Sequence, residues 1–197
     1  MKRVMFYLIA ISLINGCSTK VAVSPVHNSV MGKRIAVIDE KHSEYDMVFF
    51  ALLGWKAHDY MDMTTSLEKE LINTGYYKVS DRKNLENIMQ EKKLQMSDIA
   101  DNTLVLDTMK LAGIDALVLV KSKFTSYVVL PFAYDTYFGE ARMIDVNTGE
   151  VLWSGDSTRY LPAIFPIAYR FLLDNDETVA ENLVENLVEH VEKADDK

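Results

Sequence analysis

The chain has 197 residues but only one cysteine and four histidines. A single thiol cannot close an internal disulfide, and the histidines are too widely spread along the chain to suggest one site. His58 and Asp62 are four residues apart and would share a helix face, yet a metal site needs three or four protein ligands. We interpret this pair as an ordinary surface contact. The sequence predicts no catalytic, cofactor-binding or metal-binding residues.

Glycine-rich phosphate-binding motifs are also missing. Gly32 and Lys33 precede a predicted strand instead of following one, and no Gly-x-Gly-x-x-Gly occurs. Neither a nucleotide loop nor a dinucleotide site is therefore supported. Acidic residues outnumber basic ones, which gives a formal net charge of −8. This balance argues against nucleic acid as a partner and against electrostatic adhesion to anionic lipids.

The apolar run near the N-terminus is too short to span a bilayer. It covers residues 4–14, about eleven residues, whereas a membrane-spanning helix needs about 20. Lys2 and Arg3 precede the run, and the small or polar Asn15 and Gly16 follow it. This arrangement is typical of a secretory signal peptide. We predict that residues 1–16 are a signal peptide and are removed.

The one cysteine, Cys17, stands directly after this segment. Residues 14–17, Ile-Asn-Gly-Cys, resemble the bacterial lipobox, which implies that the Cys17 thiol carries acyl chains such as palmitate. Acyl chains contribute about 0.8 kcal/mol per buried CH₂ and can attach a protein to a membrane without a spanning segment. Ser18 follows instead of aspartate, and by resemblance to enteric lipoproteins this favours the outer membrane. The alternative is a signal peptide that ends beside a buried cysteine.

Removal of the signal peptide leaves one domain's length of chain. Residues 17–32 are poorly patterned and contain Pro25 and Gly32, so we predict a lipid-bearing tether there. Fully extended, the fifteen residues that follow Cys17 in this segment would span about 50 Å. Residues 33–197 are predicted to form a single domain that works close to its membrane.

The apolar pattern of residues 33–197 predicts an α/β fold. Residues 34–40 read as a first strand, and Met63, Leu67 and Leu71 recur at helical spacing before a glycine, Gly75. Further elements follow in order: a short strand at residues 76–81, a helix with Leu85, a helix with Leu106 and Met109 in the core, and a central strand at residues 115–121. The sequence therefore predicts one mixed sheet flanked by helices.

The end of the chain adds a hairpin and a long helix. Residues 140–160 contain two strand-like runs joined through Gly149, which is a hairpin signal. Asp174 and Glu177 can cap a final amphipathic helix. Residues 160–173 are apolar throughout and contain two prolines. They are either a buried connection, which we favour, or an exposed patch for a partner or for the membrane interface.

Three stretches of the chain resemble the curli production assembly/transport component (CsgG) family. They are residues 75–121, which include the Asp81-Arg82 pair and Leu111 to Val118, residues 141–155 at the hairpin, and residues 35–38 of the first strand. The resemblance implies a lipoprotein that faces the periplasm and uses an α/β domain for assembly and binding, with no catalytic activity. Its partner would be another protein or further copies of itself, besides the membrane reached through Cys17.

The pore-forming member of that family builds an outer-membrane barrel from two inserted hairpins. A spanning strand needs about 9 to 11 residues, so each hairpin needs roughly 20. The corresponding segments here, residues 124–138 and 158–171, are shorter and contain prolines. We therefore predict the periplasmic domain without the barrel, and the alternative is an oligomeric outer-membrane secretion pore of the curli type.

Overall fold

The computed structural model describes residues 17–24, 31–48, 63–81, 85, 87, 103–129, 132–163 and 175–195. Its elements are β1 (Cys17–Val23), β2 (Arg34–Val48), α1 (Met63–Asn73), β3 (Lys78–Val79), α2 (Thr103–Leu111), β4 (Ala116–Val129), β5 (Phe132–Asp145), β6 (Val151–Ala163) and α3 (Asn175–Asp195). The strands form one six-stranded sheet in the order β1-β6-β5-β4-β2-β3. β2 is parallel to β3 and β4, and the other neighbouring pairs are antiparallel. The predicted mixed α/β sheet is confirmed.

Strand β4 lies inside the sheet, between β2 and β5. Residues 116–120 are each at most 1% exposed. Its sequence is apolar at consecutive positions because side chains alternate between two faces that are both covered. The prediction of a central strand at residues 115–121 is confirmed.

Helices α1 and α3 cover one face of the sheet, here called the α1/α3 face. Leu67 and Leu71 of α1 and Leu183 of α3 are fully buried against β2, β4, β5 and β6. Trp153 of β6 is 1% exposed in the same cluster. Burial of each such side chain contributes about 1.5–3 kcal/mol. More core residues are buried on this face than on the opposite one, so this face holds the larger part of the core.

Helix α2 and Leu85 cover part of the opposite face, here called the α2 face. Val105 and Met109 of α2 pack with Leu117 and Leu119 of β4. The prediction for this helix was correct for Met109 but wrong for Leu106, which is only half-buried. The buried stripe begins one residue earlier, at Val105, because the helix presents positions 105 and 109 to the sheet.

Two predicted glycine positions are confirmed by the backbone. Gly75 has φ of +71° just after α1 and donates its N–H to the Ile72 carbonyl at 3.0 Å. Gly149 has φ of +74° in the turn between β5 and β6. Residues other than glycine rarely adopt this left-handed conformation, so both positions determine where an element ends.

The β5–β6 turn is also held by the Asp145 side chain. Asp145 Oδ1 accepts hydrogen bonds from the backbone N–H groups of Asn147 at 2.7 Å and Thr148 at 2.9 Å. An Asp145→Ala variant should therefore lower the free energy of unfolding by about 1 kcal/mol. Urea unfolding measures this, with Asp107→Ala on the exposed side of α2 as the control. An unchanged urea midpoint would show that the turn does not depend on these bonds.

Strand β1 is the largest departure from the predicted fold. Residues 17–23, which the sequence predicts to be part of a tether, form a strand whose seven residues all pair with β6. The tether prediction is therefore wrong for these residues. Val21 and Val23 alternate with Lys20 and Ala22, so a period-two pattern was present but too short to stand out.

Strand β3 is shorter than the strand predicted at residues 76–81, whereas β2, β4, β5 and β6 are longer than the sequence predicts. β2 continues to Val48, the β4–β5 hairpin extends to Val129 and Phe132, and β6 reaches Ala163. Tertiary pairing decided these extensions, since each strand continues beside a neighbour that is also extended. The predicted signal peptide, His58 with Asp62, the cap at Asp174 and residues 164–173 lie outside the described residues.

Candidate functional site

Cys17, the predicted lipidation site, is the first residue of β1 at the outer edge of the sheet. It stands opposite Arg159 of β6, and pairing continues to Val23 opposite Trp153. Beyond β1, the Ser24 N–H donates to the Leu152 carbonyl at 2.7 Å. The sheet therefore holds the chain from Cys17 to Ser24, and no free segment separates Cys17 from the folded domain.

Side chains reinforce this edge. The hydroxyls of Thr19 and Ser157 are 3.1 Å apart, and Ser157 is fully buried. Next to Cys17, the Arg159 guanidinium donates from Nη1 to Thr178 Oγ1 of α3 at 2.6 Å. The end of β6 that pairs with Cys17 is thus tied to the first turns of α3.

Gly155 allows β1 and α3 to approach β6 closely. A Cβ atom built there would lie 3.0 Å from the Lys20 carbonyl oxygen and 3.1 Å from Leu183 Cδ2. Any larger side chain would have to push β1 or α3 away. Sequence reasoning did not single out Gly155, Ser157 or Arg159, and their roles depend on pairings between segments far apart in the chain.

A Gly155→Val variant is expected to loosen β1. The added methyl groups would crowd the contacts at Lys20 and Leu183 and cost about 1–2 kcal/mol. Hydrogen exchange at the β1 amides should speed up more than exchange in β4. Ser154→Val changes the adjacent residue, which points to the other face, and should leave β1 exchange unchanged. Equal effects of the two variants would contradict this account.

A polar depression lies on the α2 face of β1, β6 and β5. It has a volume of about 560 Å³ and includes Lys20, Glu140 and Asp156 in its lining. These three residues share one cross-strand row, which continues to Lys121 of β4. In this row a lysine at each end flanks the two carboxylates. The depression therefore offers both positive and negative groups for ion pairs with a polar protein surface.

An acidic groove lies between α1 and α3. It has a volume of about 370 Å³, its floor includes Val184 and Val188, and its rim carries four glutamates, Glu70, Glu181, Glu185 and Glu189. Glu181, Glu185 and Glu189 are exposed at successive four-residue spacings. Like charges at this spacing repel one another and destabilise an isolated helix. A cationic segment bound in the groove would reduce this repulsion, whereas an acidic segment would increase it.

In the part of the chain that the structure describes, no group of three His, Cys, Asp or Glu residues is placed to hold a metal ion. Burial, with a smaller contribution from Tyr76, raises the pKa of Tyr77, which keeps this phenol neutral in the core. Within the same described ranges, no helix has the length and apolar character needed to cross a membrane.

Comparisons with known proteins support the fold and the family. Residues 32–125 match the family model "Curli production assembly/transport component CsgG". No curated protein sequence matches the chain. Lipoprotein GNA1162 from Neisseria meningitidis has a similar structure, with 16% identity, a TM-score of 0.54, and coverage of 82% of this chain and 99% of that chain.

Two other solved structures are more distant. The PelC dodecamer from Paraburkholderia phytofirmans is 10% identical with a TM-score of 0.47, covering 88% of this chain and 95% of that one. The LpoB C-terminal domain from Salmonella enterica is 14% identical with a TM-score of 0.42, covering 69% of this chain and 94% of that one. The match at residues 32–125 shows that this part of the chain, which contributes β2, β3 and most of β4 to the six-stranded mixed sheet, is similar to the CsgG family.

Proposed function

We propose that the protein is a lipid-anchored outer-membrane lipoprotein that faces the periplasm and acts as a non-catalytic assembly or binding module in envelope biogenesis or secretion. The position of Cys17 carries the proposal. The residue follows Gly16 at the end of a signal-like segment and begins the edge strand β1. In this proposal residues 1–16 are removed, residues 17–32 begin with the acylated cysteine, and residues 33–197 complete the domain.

The family match supports a role in assembly. Its family model is described as a production assembly and transport component. The described surface offers the polar depression and the acidic groove, which are suited to contact with another protein or with a second copy. A net charge of −8 disfavours nucleic acid as the partner.

Site-specific photo-cross-linking in intact cells tests the binding role. A photo-reactive amino acid would replace Ser154 in the polar depression or Glu185 in the acidic groove. A matched control would replace Leu111, which is 85% exposed at the end of α2. We expect a discrete cross-linked product, with a second copy or an envelope protein, from at least one of the first two positions and not from Leu111. The absence of a discrete product at both would contradict a binding module.

The alternative is an oligomeric outer-membrane secretion pore. The observation that favours it is strand length. Four adjacent strands, β2, β4, β5 and β6, have 13 to 15 residues each, and a membrane-spanning strand needs about 9 to 11. Vesicles loaded with a small dye separate the two functions. The binding module should leave the dye inside at all protein densities, whereas a pore should release it together with a heat-sensitive oligomer on a detergent gel.

A further inference from the structure

Several strands continue past the level of Cys17. Its cross-strand row runs from Cys17 to Arg159, Tyr137 and Phe124. Beyond this row lie residues 46–48 of β2, 125–129 of β4, 132–136 of β5 and 160–163 of β6, here called the distal strand ends. Five residues of extended chain measure about 16 Å, so the sheet projects well past the predicted lipid site.

Charge changes sharply at this row. The strand residues just before it include Lys20, Lys121, Lys123, Glu140 and Asp156. The distal strand ends contain only two charged residues, Asp46 and Asp135, and Asp135 is 2% exposed. The charged part of the sheet therefore stops at the level of Cys17.

Aromatic residues become frequent on the same side of the row. Tyr127, Phe132, Tyr134 and Tyr160 belong to the distal strand ends. In the row itself, the rings of Phe124 and Tyr137 pack with centroids 4.8 Å apart. Tyrosine combines an apolar ring with a hydroxyl and is enriched where hydrocarbon meets water at membrane surfaces.

We propose that the distal strand ends lie in the head-group layer of the membrane to which Cys17 is bonded. The proposal rests on the proposed acylation of Cys17. Because β1 pairs with β6 from Cys17 to Val23, no flexible stretch of polypeptide separates an acyl chain on Cys17 from the sheet. The membrane surface must therefore meet the sheet near the Cys17 row, where charge gives way to aromatic residues.

The backbone limits how deeply these ends can enter. Among the described residues, β1 begins at Cys17 and β3 pairs only with Arg34 and Ile35. Past those pairings, the described strands place no neighbour on the outer edges of β6 and β2, and open edges are not tolerated in hydrocarbon. The head-group layer supplies water but is only about 5–7 Å deep on each side, so the sheet lies obliquely to the membrane.

Depth-dependent fluorescence quenching tests this placement. The acylated Cys17 is a thioether and cannot react with a thiol probe, so an added cysteine can be labelled alone. Bimane would be attached at Thr136→Cys, in the distal strand ends, in the acylated protein bound to phosphatidylcholine vesicles. The matched control is Ser154→Cys, on the same face of the sheet and about 20 Å back along the strands.

We expect lipids with a nitroxide near the head group to quench bimane at position 136 at least about twofold more than at position 154. Nitroxides near the acyl-chain ends should quench it less. Equal quenching at the two positions would overturn the proposal, as would stronger quenching by the deep nitroxide. A blue shift without any lipid quenching would instead assign the distal strand ends to a protein contact, which also overturns it.

Mass spectrometry of the same samples separates this inference from the proposed function. Acylated Cys17 with an unquenched probe at position 136 would leave the lipoprotein assignment standing and reject only the membrane contact. An unmodified Cys17 would reject both. Thermal unfolding of each labelled protein, expected to match that of the unlabelled protein, excludes misfolding as the source of a difference.

Discussion

A Cys17→Ser variant is expected to leave the membrane fraction and be recovered as a folded soluble protein. An acyl chain of about 15 CH₂ groups contributes on the order of 10 kcal/mol to membrane binding, at about 0.8 kcal/mol per CH₂. Serine keeps the backbone pairing of β1 with β6, which uses main-chain atoms at this position. The change should therefore abolish attachment without unfolding the domain.

The Cys17→Ser variant needs a signal peptide that is removed, because an uncleaved one would itself hold the protein in the membrane. Residues 1–16 would be replaced by a signal peptide that is cleaved without lipid, and fractionation would be combined with mass spectrometry of the mature N-terminus. Ser18→Ala behind the original residues 1–16 is the control, because it alters the next, exposed residue of β1, keeps the lipobox-like segment and should stay with membranes. Retention of Cys17→Ser on membranes after a high-salt wash would refute lipid anchoring.

A Gly139→Val variant is expected to lose about 3 kcal/mol of folding free energy. Gly139 lies in β5 where α1 and α3 cross the sheet. A Cβ atom there would overlap the Met63 thioether and lie 2.8 Å from Val179 Cγ1. Valine has a high preference for strands, so a loss of stability can be assigned to overpacking. Urea unfolding of the non-acylated protein measures the change.

A double-mutant cycle with Met63→Ala checks this cause. Met63 is 1% exposed, so its truncation alone should destabilise the protein. In the double variant the smaller residue at position 63 leaves room for the valine, and the combined loss should be at least about 1 kcal/mol less than the sum. Strict additivity would show that Gly139 is not held in place by its contact with α1.

The sequence predicted elements whose signals are local. The α1 stripe of Met63, Leu67 and Leu71 repeats at helical spacing, and all three residues are buried. In the β5–β6 turn, the Asp145 side chain accepts backbone hydrogen bonds and Gly149 adopts the positive φ that the turn requires. Such features can be read from a few adjacent residues.

The site was harder to predict because its contacts join distant segments. Cys17 and Arg159 are far apart in the chain, and only the register between β1 and β6 brings them together. Gly155 reads as an ordinary strand glycine until β1 and α3 are placed over it. Propensity could not identify either relationship, since neither depends on neighbours in sequence.

By itself, the sequence determined that the chain has one mixed sheet flanked by helices, an acidic surface and a single cysteine next to a signal-like segment. These follow from composition, from apolar periodicity and from the special conformations of glycine. Only the tertiary structure decided that Cys17 begins a paired strand and that four strands extend beyond it. Strand pairing is a long-range choice, because each backbone N–H and C=O finds its partner on another segment.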